Sequence, residues 1–120
     1  ATRLEALESK SDTSFLASLL RRNKEPYSAV ICQNDEVAYW LIRELSYADI
    51  RGPEDISVVS FDNSYMSDLS SIHITTLAHG KEPGAAAAAA LLRMIQGESV
   101  FSEELPWKLV EKNSAAPYHP

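Results

Sequence analysis

Ala29-Val30-Ile31-Cys32-Gln33-Asn34-Asp35-Glu36-Val37-Ala38 sets an unbroken apolar run directly against two residues that cap helices well. A short apolar run without alternation predicts a strand covered on both faces, here Ala29 to Cys32. Asn34 and Asp35 then open a helix whose residues Val37, Ala38, Leu41, Ile42 and Leu45 share one face. Arg51-Gly52-Pro53 closes this unit, and Ile56-Ser57-Val58-Val59-Ser60-Phe61 reads as the next strand. Strand, helix and strand at this spacing demand a parallel crossover. The fold class is therefore α/β, a parallel sheet flanked by helices.

Upstream, residues 1–11 are polar, and a helix is expected from a cap at Asp12 or Ser14. Phe15, Leu16, Leu19 and Leu20 fall at helical spacing, Arg21, Arg22 and Lys24 suit the C-terminal end of the dipole, and Pro26 ends the element. Downstream, an irregular serine-rich stretch runs from Asn63 to Ser71. Ile72, Ile74 and Thr76 then alternate with His73 and Thr75 as a third strand. Gly80 and Pro83 precede a helix over Gly84 to Gln96, built from six consecutive alanines followed by Leu91, Leu92, Met94 and Ile95, with no polar side chain before Arg93. A helix apolar on every side needs a cover. Pro106 to Lys112 is the final strand, and Ala115 to Pro120 is expected to be loose.

With 120 residues, the chain is one small globular domain or part of one. Its net charge of −6 argues against a nucleic-acid surface within it, because phosphate backbones are bound by clustered Lys and Arg. If the intact protein binds DNA, another segment does so, and the absence of an initial Met at Ala1 points to a missing upstream part. Cys32 is the only cysteine, so no intrachain disulfide forms, and its apolar neighbours suggest a buried thiol in a reducing, cytoplasmic compartment. The charge-free stretch from Pro83 to Leu92 falls short of the ~20 residues a membrane span needs. No membrane partner is expected.

Both early strands run into polar clusters, Gln33-Asn34-Asp35 and Asp62-Asn63-Ser64. In an open parallel sheet, ligands bind beyond the carboxyl ends of the strands, so the two clusters share one rim. Carboxylates and amides there suit the hydroxyls of a sugar, since an ionised Asp accepts two protons and an Asn both gives and accepts. Helix capping competes with ligand binding for Asn34, while Asp35 is the stronger ligand candidate. His79, just past the third strand, either reaches the same rim or is a solvated loop histidine. An acid/base pair of Asp35 and Asp62 has no support in the sequence, and neither phosphate cradle nor nucleophile motif occurs. His73, His79 and His119 have no metal-ligand spacing, so neither metal nor cofactor is expected.

Ala29 to Ala38, Ile50 to Ser64 (IRGPEDISVVSFDNS) and Ile74-Thr75-Thr76-Leu77 together resemble the effector domain of bacterial regulators of the lactose/galactose-repressor type. The resemblance runs from about Tyr27 to Ala115. Ser71 to His79 resembles the branch of arabinose-type repressors, whose members can carry a GntR-type winged-helix DNA-binding domain. The resemblance implies a type I periplasmic-binding-protein-like fold of two subdomains with a sugar between them. Residues 1–120 would be the C-terminal portion, with most of the N-terminal subdomain and the DNA-binding domain absent. It also implies a homodimer that binds DNA only through the missing N-terminal domain, with the first helix and the loop around Tyr65 as candidate dimer surfaces. The implied role is effector sensing in transcription control, not catalysis. The alternative is a periplasmic solute-binding protein of a sugar transporter.

By the same resemblance, Asp35 matches the aspartate that contacts ligand hydroxyls, Asp62 the aspartate after the second strand, and His79 a polar cleft position. Ser60 stands where a Gly is usual, Asn63 where a second Asp is usual, and the stretch from His79 to Gly84, around Lys81, is one residue short. In the family's chain path the alanine helix belongs to the N-terminal subdomain. It is therefore expected here to pack differently, to swap between chains or to be poorly ordered.

Overall fold

The computed structural model describes residues 17–18, 27–80 and 82–118. The elements are β1 (Ala29–Ile31), α1 (Asp35–Tyr47), β2 (Ser57–Phe61), a 3-10 turn (Tyr65–Asp68), β3 (Thr75–His79), α2 (Pro83–Ile95) and β4 (Trp107–Val110). They form one sheet in the order β1-β2-β3-β4, with β1, β2 and β3 parallel and β4 antiparallel. The expected parallel β-α-β unit is present, and the sheet is mixed because β4 returns beside β3. Most of the expected first helix lies outside the described residues, as do Lys81 and His119. Ala17 and Ser18 are helical, and Ala17 is buried in the core.

The five apolar residues on one face of α1, Val37, Ala38, Leu41, Ile42 and Leu45, are all buried. They pack with Val30, Cys32, Ile56, Val58 and Ile74 into one cluster. Burial pushes the Cys32 thiol up to about 12, which keeps it neutral. The helix ends where Asp49 takes a left-handed φ of 59° and Ile50 turns back to donate to the Leu45 carbonyl at 2.9 Å.

The expectation that the first strand is covered on both faces is corrected by the structure. Val30 is buried, but Ala29 and Ile31 on either side are exposed, because α1 covers one face only. The other face carries Ile31, Val59, Phe61, Leu77, Leu109 and Trp107, all exposed or half-buried. The third strand also shifts. It begins at Thr75 and runs to His79, because the Ile74 N–H bonds the Ser67 carbonyl and the His73 N–H bonds Asn113 Oδ1, both outside the β2 ladder.

The tail is ordered further than expected. Ser114 is buried between β2 and β3, where its carbonyl accepts from Val58 N and its hydroxyl donates to the Val58 carbonyl and accepts from Thr75 N. Ala116 N donates to Ser57 Oγ at 3.0 Å. This segment fills the gap left where β3 diverges from β2.

Among the described elements, the alanine helix is the one that the sheet does not hold. α2 is fully helical, with Pro83 in its first turn and Gly97 (φ 84°) closing it, yet none of its residues is buried. Ala86, Ala89, Ala90 and Arg93 face Val100, Phe101 and Leu105 across a shallow groove. The helix thus packs on its own following loop.

Candidate functional site

The three parallel strands point their carboxyl ends at one rim. β1 leads into Gln33-Asn34-Asp35, β2 into Asp62-Asn63-Ser64 and β3 into His79-Gly80, while β4 starts at the same rim with Trp107. Gly80 N donates to the Pro106 carbonyl at 3.0 Å and closes the edge. The four residues singled out by sequence are thus brought to one end of the sheet, though they do different things there.

Asp35 is fully buried. Its Oδ1 accepts from Ser60 Oγ at 2.5 Å and Thr76 Oγ1 at 2.9 Å, and its Oδ2 accepts from Ser64 N at 2.5 Å. The carboxylate also sits in the first turn of α1, where the helix dipole favours negative charge. Direct contact between Asp35 and a ligand hydroxyl, the expectation from sequence, is not what this geometry offers, because the carboxylate is enclosed by three internal donors. It joins β1, β2 and β3 at one point. Ser60, a departure from the resembled pattern, is explained by the same contact, since a glycine would supply no hydroxyl.

Asn34 caps α1: Val37 N donates to its Oδ1 at 2.9 Å. The capping alternative left open by the sequence is therefore realised, and Asn34 stays half-buried at the rim.

Asp62 and Asn63 follow with left-handed φ values of 105° and 55°. Such backbone costs energy for non-glycine residues and persists only where the surroundings fix it. Asp62 N donates to the Leu77 carbonyl at 2.8 Å, Asn63 N to Thr76 Oγ1 at 3.2 Å, and Ser64 N to Asp35. From the other side Lys112 Nζ donates to Asn63 Oδ1, Ser67 Oγ and Asp68 Oδ1 at 3.0, 2.7 and 2.9 Å. The Lys112 hydrogen bond holds the Asp68 carboxyl below the ordinary carboxylate range against a smaller upward push from desolvation, and the Lys112 charge adds to the lowering. The outcome is a strained but clamped turn that leaves Asp62 exposed at the rim.

His79 is exposed, and its ring stacks on Trp107 with centroids 4.1 Å apart. Phe61 meets Trp107 edge-on at 5.8 Å and 77°. Trp107, Phe61, Thr76 and Lys112 were not identified as site residues by sequence. Each reaches the rim through a contact distant in sequence, and only the tryptophan opening the last strand offered a local sign. Among the described residues, no group of three His, Cys, Asp or Glu is placed to hold a metal ion, and no helix is long and apolar enough to cross a membrane.

Comparison with known proteins identifies the family of the fold. Residues 2–115 match the model of the periplasmic binding protein-like domain. An arabinose metabolism transcriptional repressor of Halalkalibacterium halodurans is 39% identical over 72 residues, 59% of this chain and 19% of that protein. A LacI family transcriptional regulator from Bifidobacterium animalis subsp. lactis superposes with a TM-score of 0.82 at 30% identity, over 95% of this chain and 43% of the solved one. A LacI family regulator from Enterococcus faecium, solved with bound ribose, gives 0.77 at 31% identity over 92% and 42%. The chain thus spans about a fifth of that repressor and about two-fifths of these solved chains. With its α-β units, its rim and its match over nearly the whole length, the chain belongs to the periplasmic binding protein-like domain family.

Proposed function

We propose that this chain is the effector-sensing part of a bacterial transcriptional repressor whose ligand is a sugar. The observation that carries the reading is the placement of Asn34, Asp62 and His79 at the carboxyl ends of three parallel strands, with Asp62 on a turn whose strain is held from two sides. Asp62 accepts from sugar hydroxyls, while Asn34 and His79 give and accept hydrogen bonds beside it. Asp35 acts from behind, as the anchor that fixes Ser64 and hence the Asp62 turn.

The names of the relatives, arabinose metabolism repressor and LacI family regulator with bound ribose, support a sugar-responsive regulator over a transport binding protein of the same fold. In this reading the protein acts in the cytoplasm as a homodimer and contacts DNA through a separate N-terminal domain. Ligand binding shifts the populations of two subdomain arrangements and thereby DNA affinity. The reading includes no catalytic step.

The test is calorimetric titration of the intact protein, both subdomains included, with L-arabinose, D-ribose and D-glucose, beside Asp62→Ala. Saturable heat from one sugar, weakened at least about tenfold in the variant, is expected for loss of a charged acceptor. No saturable heat from any of the three would overturn the sugar assignment.

A further inference from the structure

The rim holds a second feature besides its polar groups. Trp107 faces His79 directly across the β3–β4 ladder, and Phe61 reaches it from the end of β2, so three rings from three strands gather at the edge where Asp62 emerges. Cross-strand aromatic contacts of this kind steady strand ends. That role does not need Trp107 to remain 53% exposed at the end of the sheet from which Asp62, also exposed, emerges after Phe61.

We infer that Trp107 contacts the ligand and sets its class. The exposed part of the indole packs against the apolar C–H face of a closed monosaccharide ring while Asp62 and His79 bind the hydroxyls around its edge. The inference rests on the sugar-sensing reading above and extends it to ligand shape. A ring sugar is a disc with an apolar face and a polar edge. An aromatic platform with flanking polar groups is complementary to both parts at once. The corresponding open-chain alditol presents the hydroxyls but no flat face, and it must also freeze several rotors to fit. Trp107 therefore selects closed rings over open chains. His79 has a double part, binding through its nitrogens and fixing the indole by stacking at 4.1 Å.

The experiment uses the intact protein, both subdomains included, with L-arabinose, D-ribose and D-glucose, each beside its alditol, read by calorimetry and by fluorescence. These 120 residues hold two tryptophans, Trp40 and Trp107, so Trp40→Phe leaves Trp107 the sole emitter among them, and the difference from Trp107→Phe isolates its signal from any tryptophan elsewhere. The expected result is a saturable change in Trp107 emission with the same Kd as the heat. Trp107→Leu should weaken the ring sugar by about five- to tenfold and abolish its advantage over the alditol, with Trp107→Phe recovering most of both. Should Trp107→Leu fail to fold, the emission change and Trp107→Phe decide the matter.

Saturable heat with Trp107 emission unmoved, or with ring and alditol bound equally by wild type, overturns the role of Trp107 and leaves the sugar sensor standing. No saturable heat from any sugar in the wild type overturns both.

Discussion

Replacing Asp35 by alanine removes the acceptor shared by Ser60 Oγ, Thr76 Oγ1 and Ser64 N, all in a place closed to water. A hydrogen bond to a charged group contributes about 1.5–3 kcal/mol, and a buried donor left unpaired costs about 1–3 kcal/mol. The two hydroxyls can rotate toward other acceptors, but the Ser64 N–H is fixed by the backbone. Counting that N–H in full and the hydroxyls in part, and allowing for one buried charge fewer, the loss is about 3–5 kcal/mol. This is a large share of the roughly 6–18 kcal/mol expected for a domain of this size.

Asp35→Asn gives the decisive contrast. Its amide oxygen can still accept from Ser64 N, while its NH2 group can donate to the two hydroxyls once they turn, so only about 1–2 kcal/mol should be lost. Urea unfolding with a common slope measures both variants. A loss below about 1 kcal/mol for Asp35→Ala would refute the anchor role, because no buried three-donor hub can be removed so lightly.

Asn34→Ala should cost about 1 kcal/mol through loss of the cap on α1, and Asn34→Asp should be nearly neutral in the same unfolding assay, since Asp caps equally well. Acid should loosen the Asp62 turn. The depressed Asp68 carboxyl favours the folded state above its unfolded pKa, and this contribution is lost as pH falls through its lower folded value. Because Asp68 is exposed the effect is small and salt-sensitive. It should appear as a downward-shifted Asp68 carboxyl titration by NMR that returns to the ordinary range in Lys112→Met.

The β-α-β unit was legible because its signals are local: an apolar run, a cap and an apolar helical face, each within a dozen or so residues of the next. Covering of the second sheet face was not legible, because a short apolar run reads alike whether one or both faces are packed, and Ile31 shows only one is. The start of β3 was missed for a related reason. Ile72 and Ile74 alternate as strand residues do, but their neighbours bond to Ser67 and Asn113, partners that no local pattern reveals. At the rim, residue types pointed to Asn34, Asp35, Asp62 and His79, yet type alone does not say whether a carboxylate faces water or its own protein. Asp35 turned inward because Ser60 and Thr76 lie on the strands beneath it.

Ser114 carries a consequence for biosynthesis. Its backbone and hydroxyl bond Val58, 56 residues earlier in the chain, as well as Thr75 on the neighbouring strand. During translation β1, α1 and β2 emerge together and can dock at once, since their contacts are close in sequence. The lower halves of β2 and β3 must wait, with the Val58 carbonyl and the Thr75 N–H unpaired, until the segment beyond β4 leaves the ribosome. A nascent chain stalled before Ser114 would present an unzipped seam in the middle of its sheet, open to the strands of another chain.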